Sequence, residues 1–533
     1  MAKDTETVFE LLAKLNADKS TILTLWQEIA EFSYPGQRDF YRYFSGSAQG
    51  NKRRRPIFDS TGEMSLDIFA SSMVGLLANP ATKWVAFQTD DVELLNNREV
   101  QLFLDEAQTK VLSVFNNPRT KFYDNLFTLL KFVGAFGAGA LLIDDDPDTV
   151  NKFRAESPRN FDYTEDFSGN VDEVFLEREF TVGALMTKAE SDDWEIPQDI
   201  QNRPHTDKVN IVRHIYPNPD YNPEGLGEKF ARFHSKYYLK ETKTLVKTGF
   251  FSMSPAAIAR WDKLDSEKWP DSPGRVALSN VKLAQAANKA LIVAMEKELQ
   301  PTLFLSSEAK FGKLDTSAGA VNVGRGNPSD NVRELRTNGS GLLAAIPWIE
   351  SIRQQIRTAY YVDVFQTAVD INMTATEAQI RNQERLRGIA PKATKIQSDV
   401  LGPAAEKVLQ TLIKSGKLKV PDVLARAGGE IKVVYLSPLA QAQRLNDARN
   451  VLTFLQDIAT VAQAYPEVLD SIDPDAVIEE MADIRGVPEK ILRASDAVEQ
   501  IRQQRQQQQQ AQQQLQMIQQ TTEVAKGAQE AQL

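Results

Sequence analysis

The chain has 533 residues, 42% of them hydrophobic and 25% charged, with 62 basic against 72 acidic side chains, three histidines and no cysteine. That length corresponds to roughly three or four packed bodies, and the composition is that of a soluble globular protein rather than a disordered, fibrous or membrane-embedded one. The lack of cysteine excludes disulfide scaffolds, thiolate zinc sites and thiol nucleophiles and fits a reducing cytoplasm, while a net charge of −10 argues against tight coating of DNA, which needs many cations to neutralise phosphates.

The chain up to about residue 130 reads as helices with apolar spacing near 3.6. Phe9, Leu12 and Leu15 form one stripe, and Ile22, Leu25, Ile29 and Phe32 a second, before the break at Tyr34-Pro35-Gly36. The first segment is charged throughout and lacks the apolar core of a signal peptide, and no window is long and apolar enough to predict a spanning helix. Beyond the basic run Lys52-Arg53-Arg54-Arg55, Asp59, Ser60 and Thr61 offer caps for a helix to Leu77, which Asn79-Pro80 stops. Residues 98–116 and 121–133 give two more helices.

From Leu141 to Lys247 the period changes. Ala140–Ile143, Val174–Phe180, Val209–Tyr216 and Phe230–Leu239 alternate or are β-branched, and turn signals such as Asp144-Asp145-Asp146-Pro147 and Asn218-Pro219-Asp220 separate them, which predicts an antiparallel β-rich insertion. A linker, Trp269–Gly274, precedes an Ala-rich helix over 275–299 closed by Pro301. Residues 300–338 are short, strand-like and punctuated by Gly319, Gly324, Gly326 and Asn338-Gly339, and a second long helix follows over 342–361. Two helices flanking a small tip predict a protruding hairpin. Thr374 and Glu377 form a capping box opening a long helical region to Ser415, with kinks expected at Pro391 and Pro403. Residues 374–420 hold nine basic and four acidic side chains, a local +5 in an acidic protein. Residues 440–500 read as helical, and 14 of the 21 residues from Gln500 to Gln520 are glutamine, a polar helix or frayed tail. The fold class is α+β, mostly helical.

Few residues suggest chemistry. Neither Gly312-Lys313 nor Gly416-Lys417 completes a phosphate-binding loop. Gly134, Gly137 and Gly139 follow a helix and precede a strand, the reverse of the dinucleotide order, so close helix-to-strand packing is the expected role. Asp144, Asp145, Asp146 and Asp148 suit a hard cation or a solvated turn; the first reading would allow a metal-dependent nuclease. His214 and His234 lie in expected strands and could meet across a sheet, although a buried or edge histidine is commoner. On the hairpin, Lys282 and Lys289 share one helix and Arg353 and Arg357, at i and i+4, share a face of the other. These are solvated surface or a sparse set of cations aimed at a polyanion. Arg325, Arg333 and Arg336 in the tip serve likewise or pair with acids of a docking protein.

Five stretches in order, IFDSTGEMSLDIFASSMVGLLANPATKW (Ile57–Trp84), FGAGALLI (Phe136–Ile143), SPGRVALSNVKLAQAANKAL (Ser272–Leu291), MTATEAQIRNQERL (Met373–Leu386) and YLSPLAQAQR (Tyr435–Arg444), resemble the head-to-tail connector, or portal, proteins of short-tailed bacteriophages. The resemblance implies a dodecameric ring with a central channel and a portal fold of wing, stem, clip and crown. Residues 1–274 would be the wing, 275–299 and 339–361 the stem helices, 300–338 the clip, 362–420 the channel loop and wing-to-crown helix, 421–505 the crown and 506–533 a Gln-rich tail. It also implies no covalent chemistry and no cofactor. The ring would pass double-stranded DNA during packaging and ejection, at one capsid vertex of a virion assembled in the bacterial cytoplasm. Its partners would be further copies of itself, the major capsid protein, a terminase motor, a tail adaptor and internal core or scaffold proteins, with no membrane. Lys282, Lys289, Arg353, Arg357, Arg381 and Arg385 are the channel candidates, Arg325, Arg333 and Arg336 the docking candidates, and Asp363, Phe365, Gln366, Asp370 and Asn372 the channel-loop candidates. Charge reversal at Arg353 and Arg357 is expected to impair packaging without preventing ring assembly. The alternative is a cytosolic helical scaffold or adaptor without a DNA channel.

Overall fold

A computed structural model of the chain describes residues 5–37, 57–91, 94, 97–192, 194–222, 230–263, 267–306, 315–324, 332–335, 340–365, 388–427, 431–435, 438–462, 465, 467–468, 472–485, 491, 498, 500–510 and 512. The basic run Lys52–Arg55, the capping box at Thr374 and Glu377, and residues 513–533 lie outside these. In chain order the helices are α1 (Thr5–Ser33), α2 (Thr61–Leu77), α3 (Arg98–Asn116), α4 (Phe122–Phe136), α5 (Val182–Asp192), α6 (Gln198–Gln201), α7 (Pro273–Leu299), α8 (Ser340–Ala359), α9 (Val362–Phe365), α10 (Gly402–Lys414), α11 (Asp422–Ala427), α12 (Pro438–Ala462) and α13 (Pro474–Arg485). The strands are β1 (Val85–Thr89), β2 (Ala138–Asp146), β3 (Val150–Glu156), β4 (Phe161–Glu165), β5 (Val171–Thr181), β6 (Lys208–Pro217), β7 (Phe233–Leu239), β8 (Leu245–Phe251), β9 (Ala256–Arg260), β10 (Thr302–Ser306), β11 (Val321–Gly324), β12 (Val332–Leu335) and β13 (Ile431–Tyr435). Among the described residues the fold is α+β, 57% helical and 21% strand.

Two compact bodies divide the chain, one of Met1–Trp84 with Val111–Lys417 and the other of Val85–Lys110 with Leu418–Leu533. In the second, β1 pairs antiparallel with β13, Val85 opposite Tyr435 and Thr89 opposite Ile431. Gln108 Nε2 donates to the Val85 carbonyl at 2.8 Å, so the segment 85–110 folds with residues more than 300 positions away in sequence. No local signal announces that pairing.

In the first body α1 is one uninterrupted helix of 29 residues. Val8, Leu12 and Leu15 bury against Phe175, Val212 and Tyr238. Towards the C-terminus the buried face is Trp26, Ile29, Ala30 and Ser33, rotated from the stripe expected through Leu25 and Phe32. Between the two patches the helix buries Lys19, 4% exposed. Its ammonium lies 2.5 Å from Asp162, donates to the Phe161 carbonyl at 2.8 Å and sits over the Trp269 ring. Burial pushes the Asp162 carboxyl up, and the Lys19 charge opposes the shift.

The insertion is antiparallel throughout, a five-stranded sheet in order β4-β5-β6-β7-β8 and a three-stranded sheet in order β3-β2-β9. Helix α4 runs directly into β2 through the glycine cluster. A Cβ on Gly134 would lie 2.8 Å from Leu66 and Phe69, one on Gly139 2.8 Å from Leu129, and Gly137 has φ +83° with the Pro270 carbonyl against it. Only glycine fits that approach and that left-handed conformation, which bears out the close-packing expectation. Residues Trp269–Gly274, expected as a linker, are instead part of the core. Trp269 is 5% exposed and packs on Trp26, Phe161 and Tyr163, because the turn-forming residues also bring an indole over the Lys19 site. Helix 388–396 passes through a π-helical turn, Gln397–Leu401, into α10, with Pro403 in the first turn of α10. The expected break at Pro403 takes that form.

Replacing Lys19 by Met leaves Asp162, 3% exposed, without its principal counterion. The unfolding free energy is expected to fall by about 3–5 kcal/mol, read as a lower urea midpoint at unchanged slope; an unchanged midpoint would show that the pair contributes nothing.

Candidate functional site: the helical hairpin and its anchor

Helix α7 starts where Ser272 Oγ accepts the Arg275 N–H at 2.9 Å, with Pro273 in the first turn, an arrangement that pre-sets the helix. The same hydroxyl donates to the Ala135 carbonyl at 2.9 Å, so the cap also fixes α7 to α4. Helix α8 buries Ile349, Ile352 and Ile356, spaced three and four apart, and α7 buries Ala277, Val281 and Ala284. The two helices pack on one another. Between them lies the expected glycine-punctuated tip, a three-stranded sheet in order β11-β10-β12 with β10 and β11 parallel and β10 and β12 antiparallel.

The root of this hairpin converges on Asp59. Its Oδ1 accepts the Thr61 N–H at 2.9 Å, capping the first turn of α2. Its Oδ2 accepts from Asn288 Nδ2 at 2.9 Å and from Arg353 Nε at 2.8 Å. Gln285 Nε2 donates to the Asp59 carbonyl at 2.5 Å, and Gln285 Oε1 accepts the Phe58 N–H at 2.8 Å. One carboxylate, 2% exposed, thus ties α2, α7 and α8 together. Burial alone would raise its pKa, but hydrogen bonds from Thr61 and Arg353 and the guanidinium charge outweigh it and hold the carboxyl below its ordinary value.

The remaining hairpin cations are placed as follows. Lys282 pairs with Glu28 of α1 at 2.6 Å. Lys289 is exposed and lines a shallow groove along α7 with Ala286, Ala290, Val293, Ala294 and Lys297. Arg357 Nη1 donates to Glu350 at 2.7 Å, its side chain 37% exposed; Glu350 also receives Arg353 at 3.4 Å. Arg353 therefore faces two carboxylates on two elements, whereas the ion pair of Arg357 lies within α8. Asp363 accepts from Gln354 at 2.9 Å and Thr358 at 2.6 Å, and the Phe365 ring stands edge-on 6.5 Å from Phe69. The chain leaving α8 is thereby tied to it and to the core. The backbone of Arg333 lies in β12 opposite Phe304. Arg325, Arg336, Gln366, Asp370, Asn372, Arg381 and Arg385 lie outside the described residues.

The aspartate run is a turn only at its end, where Pro147, Asp148 and Thr149 link β2 to β3. Asp144, Asp145 and Asp146 continue strand β2, and each meets a cation: Asp144 meets Arg213 at 2.8 Å, Asp145 meets Lys407 at 2.9 Å and Asp146 meets Lys152 at 2.6 Å. Charge pairing lets aspartates occupy a strand end that propensity disfavours. With Lys152 and Thr149 bonded to it, Asp146 falls to about 2 despite some desolvation. Successive strand residues point to opposite faces, so the three do not converge on one point, and no group of three or more potential metal ligands occurs among the described residues. His214 contacts Glu173 at 2.9 Å and stacks on Tyr216, while His234 bonds the Tyr216 hydroxyl at 3.2 Å. The two imidazoles flank a tyrosine rather than meet.

Sequence reasoning treated Asp59 only as a cap and passed over Gln285, Asn288 and Glu350. The available signal was an aspartate placed so that its own helix needs only one of its two oxygens.

These features define a structural element, a long two-helix projection held at its root by a buried polar cluster. The chain belongs to the bacteriophage head-to-tail connecting protein family, which matches residues 5–492. It is similar to the probable portal protein of Bordetella phage BPP-1, 27% identical over 515 residues, covering 94% of this chain and 91% of that protein. It is similar also to the portal protein of Salmonella phage epsilon15, 26% identical over 524 residues, covering 93% of this chain and 90% of that protein. All five stretches that carried the resemblance, and Asp59, Gln285, Asn288 and Arg353, lie inside the matched span.

Replacing Arg353 by Met is expected to destabilise the fold by about 2–4 kcal/mol by stranding the Asp59 carboxylate, seen as a lower melting temperature. Because the folded pKa of Asp59 is depressed, its contribution is full above the unfolded value of about 4 and is lost as pH falls through the folded value. The stability difference between Asp59→Asn and the parent should therefore be largest at neutral pH and shrink below about pH 4; a difference constant down to pH 2 would contradict the ionised anchor.

Proposed function

We propose that the chain is the subunit of a dodecameric portal ring at one vertex of the virion, through which double-stranded DNA enters during packaging and leaves at ejection. The observation that carries this reading is the family match across residues 5–492, together with a two-helix projection rigidly anchored at Asp59. In this reading residues 1–274 are the wing and meet the major capsid protein. The stem helices 275–299 and 339–361 line the channel. The clip, residues 300–338 with Arg325, Arg333 and Arg336, docks the terminase and then the tail adaptor. Residues 362–420, with Gln366, Asp370 and Asn372 in the channel loop, lead to a crown over 421–505, and the Gln-rich tail, 506–533, lies in or beyond the crown and faces packaged DNA.

Helix α7, at 27 residues, spans about 40 Å. That is about twelve base pairs of B-form duplex, a little more than one turn. A ring of such helices meets each phosphate of the passing turn with repeated, weak contacts, and repetition multiplies their effect without a strongly basic subunit. Low friction calls for few cations per copy, which a net charge of −10 satisfies. Among the described channel candidates, Lys282 is turned to α1 and Arg353 to the anchor, which leaves Lys289 on α7 and Arg357 on α8 for the lumenal contact, with Arg381 and Arg385 as further candidates. The nuclease reading loses its support, since Asp144, Asp145 and Asp146 are each paired with a cation.

Negative-stain images of the purified full-length chain should show rings with a central hole; a monodisperse monomer or dimer would favour an adaptor. Arg357→Glu should leave those rings intact while lowering the yield of filled heads severalfold in a packaging assay, and normal filling would remove Arg357 from the channel wall.

A further inference from the structure

The β4–β5 hairpin carries a feature that neither the fold nor the channel uses. Its tip, Asp166-Phe167-Ser168-Gly169-Asn170, is tightly built: Asp166 N–H donates to the Asn170 carbonyl at 2.9 Å, Asn170 N–H donates to Asp166 Oδ1 at 2.8 Å, and Gly169 N–H donates to the Asp166 carbonyl at 3.0 Å. Gly169 takes φ +80°, and Arg260 fixes the tip from β9 by donating to the Gly169 carbonyl at 2.8 Å. On this rigid support Phe167 stands at 108% relative exposure, the highest among the exposed large apolar side chains described. The ring makes no contribution to the turn, whose bonds all run through Asp166, Gly169 and Asn170. A pre-organised aromatic knob loses little freedom on docking and is the residue type that anchors interfaces.

The same chain offers a matching receptor. The shallow groove along α7 is lined by Ala286, Ala290, Val293 and Ala294 together with Lys289 and Lys297. Small apolar side chains make a slot for a ring rather than for a hydrated phosphate. The tip supplies the complementary charge. Thr164–Asp172 contains three acids and no base; Glu165 is neutralised by Arg260 and Lys263, and of the other two Asp166 is the one directly beside Phe167, exposed and with its carboxyl held below the ordinary value by the bonds from Asn170. Knob and slot are different patches of one chain, so their union is heterologous and propagates around a ring.

We propose that Phe167 of one copy docks into the α7 groove of the next copy, with Asp166 set against the Lys289 and Lys297 rim, as a subunit-to-subunit contact. This rests on the ring reading above and adds its contact residues. The absence of cysteine allows a clean test with the full chain. Ser168→Cys, which keeps the Phe167 ring, is combined with Ala290→Cys and the rings are oxidised. A ladder of linked subunits on a non-reducing gel is expected from the double variant and not from either single one, and adding Phe167→Ser should cut the yield about tenfold or more. If rings form but no ladder appears, the proposal fails while the ring reading stands; if the parent forms no rings, the ring reading itself fails. If no ladder forms while Lys289→Glu with Lys297→Glu leaves ring assembly intact but blocks DNA passage, the groove belongs to the duplex and the proposal is overturned.

Discussion

The carboxylate of Asp59 sets the geometry on which the projection depends. Three helices approach it from different parts of the chain, and each donates to it: the N-terminus of α2 through Thr61, α7 through Asn288, and α8 through Arg353. Apolar packing alone, such as Ile352 and Ile356 against the α7 face, holds helices together but tolerates sliding and rotation, since one methyl group resembles another. A buried anion with directional donors does not. Rotating α8 by one residue would carry Arg353 away and leave a charge in a site from which water is excluded, a cost of several kcal/mol. The anchor thus selects one register of the hairpin, beyond whatever net stability it contributes.

The same device recurs through the first body. Lys19 and Asp162 join α1 to β4, Asp145 and Lys407 join β2 to α10, and Arg260 contacts both Glu165 and Asp399 of the π-helical turn. Each pair links segments far apart in sequence, and at least one member is nearly inaccessible. Lys19, Lys407 and Arg260 of an acidic protein are therefore engaged in holding its own layers in place.

How much of this was legible beforehand follows from whether the governing interactions are local. Helix α4 and the glycines after it were readable because periodicity and small residues speak for themselves, and the β-rich insertion announced itself by alternation. Lys19 was read past, since a lysine looks like surface until its partner 143 positions on is known. The Trp269–Gly274 segment had every mark of a linker, yet its indole is core. Asp144 to Asp146 looked like a turn because the cations that permit a strand, Arg213 and Lys407, are supplied from elsewhere. The strand pairing of Val85–Thr89 with Ile431–Tyr435 left no local trace. At the site, which of the candidate cations are tied to internal acids required the fold, because an arginine on a helix face reads the same whether it meets Asp59 or solvent.

The sequence distance across the anchor carries a consequence for biosynthesis. Asp59 and Arg353 are 294 residues apart, so at about 5–20 residues per second a ribosome needs roughly 15–60 s to deliver the guanidinium after the carboxylate has emerged. Throughout that interval the start of α2 stays hydrated, and the projection cannot seat until nearly two-thirds of the polypeptide exists. A nascent chain therefore cannot complete the root of this hairpin until the segment that carries α8 has emerged.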